Sequence, residues 1–87
     1  MVDYYLFSFK SSSHATKALA KVTGKINKAR LIPLPPEISA GCGNSLRIGV
    51  DDLDKTLAIL DKEDYTGIYT MSYDENRKRI IKEYVLW

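Results

Sequence analysis

The chain has one cysteine, one histidine and one tryptophan, and each scarcity excludes something. A single cysteine forms no internal disulfide, and small secreted domains usually depend on several. One cysteine with one histidine makes no structural zinc site without a partner chain. No stretch approaches the roughly 18 apolar residues of a membrane span. The opening, Met1 to Lys10, carries Asp3 where a secretory signal would have basic residues. The expectation is a cytoplasmic protein with no membrane partner. No P-loop or dinucleotide fingerprint is present, and no cofactor is expected. Asp51, Asp52 and Asp54 lie close together, but a helix start accounts for them without a metal.

What is there fits one small domain. Of 87 residues, 45% are hydrophobic and 28% charged, which is ordinary for a chain that folds around one core. So small a core leaves little stability for a large cavity, so a shallow site or an interaction surface is expected. The net charge of +2 conceals an asymmetry. Residues 1–47 carry seven Lys and Arg against Asp3 and Glu37, whereas residues 48–87 carry six against nine acids. All six charges from Lys10 to Arg30 are positive. That stretch is either a solvated helix face or a surface that attracts anions.

The pattern of residues predicts β-α-β-β-α-β. Tyr4 to Phe9 is a short, buried type of strand. Ser11, Ser12 and Ser13 offer N-cap hydroxyls, Ala15, Ala18, Leu19 and Val22 follow at helical spacing, and Gly24 stops the helix. Ala29 to Leu34 is a second strand whose Pro33 suits an edge or an end. Pro35 to Asn44 is a loop, and Ser45 to Val50 alternates as a third strand. Asp51 and Asp52 can start a helix with the apolar stripe Leu53, Leu57 and Leu60. Gly67 to Tyr73 is the fourth strand. This is an α+β, ferredoxin-like plan over residues 1–73, with two helices on one face of a four-stranded antiparallel sheet. Residues 74–87 are a C-terminal extension, either a helix or an extra strand, whose aromatics pack on the domain or on a second copy. The plan also serves RNA recognition, but strand three has Leu46 and Ile48 where aromatics are needed, so no nucleic acid is expected.

The topology singles out one loop. In a right-handed β-α-β unit the two strands run parallel. The end of strand one, the helix start and the end of strand two then share one rim. Ser12, Ser13 and His14 are thereby placed beside the loop that holds Gly41-Cys42-Gly43. Flanking glycines allow positive φ angles and leave the sulfur unshielded. Amides of such a turn, a helix N-terminus, and Arg47 or Lys10 would favour a thiolate. His14 is a candidate proton partner. The competing reading of Cys42 is a small, inert hydrophobe, and of the serines, simple caps.

The run Arg30-Leu31-Ile32-Pro33-Leu34-Pro35-Pro36-Glu37-Ile38-Ser39-Ala40-Gly41-Cys42-Gly43, followed by Ser45-Leu46-Arg47, resembles the signature of the domain-of-unknown-function 3343 family. That bacterial family is described as selenium/sulfur carrier-like proteins. Ser12-Ser13-His14-Ala15, Asp52-Leu53 and Gly67-Ile68-Tyr69 fit the same pattern, so the likeness runs from residue 4 to about 70. Pro36 and Lys17 depart from it, standing where the family commonly has an arginine and an acid. The resemblance implies a carrier or accessory protein more than a stand-alone enzyme. Cys42 would take up sulfur or selenium from a donor such as a cysteine desulfurase or a selenium-metabolism protein. The alternatives are a non-catalytic binding or regulatory module that acts through oligomerisation, and a redox sensor in which two Cys42 residues join across a homodimer.

Overall fold

The computed structural model describes residues 1–84. Its strands are β1 (Tyr4–Ser8), β2 (Arg30–Pro33), β3 (Asn44–Gly49), β4 (Gly67–Tyr73) and β5 (Arg79–Glu83), and its helices are α1 (Ser12–Val22) and α2 (Leu53–Ile59). They form an α+β domain with a single sheet in the order β2-β3-β1-β4-β5, every neighbouring pair antiparallel. Because β1 and β2 flank β3, they run parallel to each other. The expected four-stranded sheet is therefore corrected to five strands. Asp74 makes the difference: its carboxylate accepts the amides of Asn76 and Lys78, and Arg77 turns the chain at φ 62°. That turn folds Arg79–Glu83 back along β4. Of the two forms open for residues 74–87, the described part takes the strand. Val85, Leu86 and Trp87 lie outside the described residues.

Local signals explain the helices. Ser11 caps α1, its hydroxyl accepting the His14 amide at 3.3 Å. Gly24, at φ +82°, turns the chain just past the helix end. The helix at Asp51 and Asp52 begins with one 3₁₀ turn, Val50–Asp52, and neither carboxylate caps it. The second 3₁₀ turn, Lys62–Asp64, closes a capping box with Asp61. Its buried Asp64 also accepts Lys21 Nζ at 2.6 Å, which ties α1 to the turn before β4.

Alternation along the strands gives the sheet two apolar faces. Phe7, Phe9, Leu46, Ile48 and Ile68 point to the helices and form the main core with Ala15, Ala18, Val22 and Leu53. Tyr65 meets Phe7 edge-on at 5.0 Å, and Tyr84 meets Tyr5 at 5.2 Å. The other face carries Leu6 and Met71, both buried although no helix covers them. Ile38, from the loop between β2 and β3, covers them together with Tyr4, Ile32, Leu34, Tyr69 and Ile81. Glu37 of that loop reaches Arg79 of β5 at 3.2 Å. The loop leaves one edge of the sheet and is pinned to a strand at the other.

Candidate functional site

The loop after β2 is built by short-range bonds at its ends. The Leu34 amide donates to the Gly43 carbonyl at 2.9 Å, closing the loop at its base. Inside it, the Ile38 amide donates to the Pro35 carbonyl at 3.0 Å. The Glu37 carboxyl is held below the usual carboxylate range, first by its own backbone amide and then by the Arg79 guanidinium. Two of its buried side chains go to opposite sides of the sheet. Ile38 plugs the helix-free face, and Cys42 joins the helix-side core with Phe7, Phe9, Ala15 and Leu46.

Cys42 is 3% exposed, which corrects the expectation of an unshielded sulfur. Glycines do strip side chains from either side of it, but the loop turns the thiol inward, where burial of a small apolar group is favourable. Its sulfur accepts the Asn44 amide at 3.4 Å. The glycines also act differently from expectation, since neither takes a positive φ. Gly41 is needed for space: a Cβ there would overlap the Lys10 carbonyl oxygen. Nothing lies near the equivalent position at Gly43.

This contact puts the loop against the start of α1, so the two segments do meet at one rim. His14 nevertheless pairs elsewhere. Its Nδ1 lies 2.7 Å from Ser11 Oγ, and no hydrogen bond joins it to Cys42 among the described residues. Ser12 and Ser13 are exposed, and Ser11 alone caps the helix. Ser13, His14 and Lys17 line a shallow depression of about 210 Å³. Arg47 is on the far side of the sheet. It stands opposite Leu6 on β1, and its guanidinium lies 4.4 Å from the centre of the Tyr4 ring. The sheet itself separates it from the core that holds the thiol. Ile38 and Asn44 escaped notice in the sequence. A lone isoleucine amid prolines and glycines was the available signal for the first; an amide bond two residues along leaves none.

Among the described residues no helix is long and apolar enough to cross a membrane, and no three of His, Cys, Asp and Glu gather to hold a metal ion. The fold and loop thus define a class: a small α+β domain whose one thiol sits on a clamped loop at a helix start. Residues 4–70 match a family model described as "Putative Se/S carrier protein-like", and the chain belongs to that family, the one its loop signature resembles. No curated protein and no solved structure matches the chain.

Proposed function

We propose that the protein is a sulfur or selenium carrier in which Cys42 is the covalent acceptor. The observation that carries this reading is the family match over residues 4–70, which spans the loop and its single thiol. In the transfer, Cys42 sulfur attacks the outer sulfur of a donor persulfide. The donor's S–S bond breaks, a new S–S bond forms on Cys42, and the donor cysteine leaves as a thiol. Cys42 gives up its proton to solvent, and the donor thiol takes one, so atoms and electrons balance. A selenium atom moves by the same exchange. The donor is an enzyme that holds the atom on its own cysteine, such as a cysteine desulfurase. Because the thiol is 3% exposed, loading requires the 34–43 loop to lift. The loop is suited to this, since its outer anchor is one half-exposed ion pair, Glu37–Arg79. The four strands β1 to β4 with the two helices are read as a ferredoxin-like unit, and β5 as its added edge.

The test is intact-mass measurement after incubation with a cysteine desulfurase and cysteine. The carrier gains the mass of one sulfur, reversed by thiol reductant, and Cys42→Ser gains nothing. No gain in the wild type would sink the reading.

A second reading is favoured by the burial of Cys42 in the main core. In it, the cysteine is a packing residue, and the protein is a binding or regulatory module that pairs through its open β2 or β5 edge. The same mass measurement separates the two.

A further inference from the structure

Arg47 has no part in the loop, and the sheet gives it another neighbour. In the β2–β3 register Arg30 stands directly opposite Arg47. Like charges so placed oppose strand pairing, so a sheet normally supplies an acid nearby. Here none of the ion pairs among the described residues includes either arginine. Asp3, adjacent to Tyr4, bonds through its amide to Met71, and its carboxylate is in none of the ion pairs among the described residues.

Two polar atoms are buried without a hydrogen-bond partner among the described residues, Arg47 Nε and Ser45 Oγ. Both belong to β3, two positions apart, and so lie on the same helix-free face. Ser45 is fully buried. Native structures rarely leave such groups unmet, and two of them on the face where Arg30 stands opposite Arg47 offer donors and positive charge to an anion. The Tyr4 ring holds the Arg47 guanidinium by its face, which leaves the edge with its N–H groups to bind.

We propose that this face binds the phosphate group of a small molecule between Arg30 and Arg47. One carboxylate would neutralise one guanidinium and leave the other opposed, whereas a dianion with several acceptor oxygens satisfies both. Arg30 is exposed on the edge strand, so the site opens to solvent beside β2. It lies across the sheet from the core that holds Cys42, and rests on no assumption about that thiol.

The test is a nuclear magnetic resonance titration of the full chain at constant ionic strength, with chloride as the background anion. Inorganic phosphate is one arm and adenosine monophosphate the other. The expected result is a saturable shift centred on Arg30, Ser45 and Arg47, including the Arg47 Nε signal. Preference between the arms tells whether free phosphate or an organic phosphate is the ligand. Arg30→Gln and Arg47→Gln each weaken binding by about tenfold or more. In phosphate-free buffer, Arg30→Gln, an exposed change that leaves the core intact, raises Tm because the repulsion is gone. The proposal is overturned by the absence of saturable shifts in both arms or by binding that survives both substitutions. Shifts centred on Ser13, His14 and Lys17, or a lower Tm for Arg30→Gln, would also overturn it.

Discussion

The two faces of the sheet are covered in different ways. On one, two helices bury Phe7, Phe9, Leu46 and Ile48, and every buried side-chain polar atom among the described residues on that side has a partner. On the other, Leu6 and Met71 are covered by a loop residue, Ile38, and both orphaned polar atoms are found. A helix brings its own backbone hydrogen bonds and a continuous apolar stripe, so it seals a face permanently. A loop held by a few contacts can leave and return. The residues proposed to carry chemistry, Cys42 and Arg47, are on the loop and on the face that it only partly covers.

The largest expected effect comes from deleting side chains on either face. Phe7→Ala should cost about 3–5 kcal/mol, since it empties the helix-side core and loses the Tyr65 contact. Leu6→Ala, its neighbour on the other face, should cost nearer 3 kcal/mol because a loop collapses onto the cavity more easily than a helix. Urea unfolding measures both, and equal losses would erase the distinction between the faces. Ile38→Ala sharpens it further. The expected loss is about 2 kcal/mol, with faster alkylation of Cys42 as the loop loses its plug. Gly41→Ala acts on the rim, where the added methyl meets the Lys10 carbonyl. A loss of about 2 kcal/mol is expected from that overlap, while Gly43→Ala, with open space around it, should change Tm little.

A smaller effect than those core and rim losses belongs to the tie between α1 and the turn before β4. The Lys21 ammonium, then the Asp61 amide, hold the Asp64 carboxyl below its ordinary 3.8. A hydrogen bond to Asp64 holds the Lys21 ammonium above its ordinary 10.5. The carboxylate's contribution is therefore present above about pH 4 and is lost as pH falls through its depressed value. The ammonium's contribution is present below about pH 10 and is lost as pH rises through its elevated value. Asp64→Asn should cost about 1 kcal/mol, mainly through the capping box, and should flatten the acid limb of a Tm-against-pH profile. An unchanged acid limb would show that the pair contributes nothing.

Short apolar runs and turn residues marked the first four strands, with clear alternation only in β3, and helical spacing of apolar residues marked both helices. Periodicity did not decide β5, whose Ile80 and Ile81 suit either period; the Asp74 turn and pairing with β4 decided it. The rim was legible too, since parallel strands force the α1 start and the 34–43 loop together. What the sequence hid was direction. Gly41-Cys42-Gly43 reads as a flexible, open turn, yet Gly41 is required by a close backbone approach and the thiol points inward. Arg47, five residues from Cys42, reads as its neighbour, but strand alternation sends it through to the other face. Ile38 carried the missing information, as a single apolar residue with no periodic partner whose place depends on a face that the helices do not reach.

Cys42 is buried, and the carrier reading requires that lifting one loop make it reachable. Its rate of reaction with a thiol-specific alkylating agent in native buffer, set beside the rate of global unfolding, tests this most directly. Labelling well ahead of unfolding is expected, faster again in Arg79→Ala, which frees Glu37. Labelling that only keeps pace with unfolding, in both proteins, would contradict the carrier reading and leave Cys42 as a packing residue of the core.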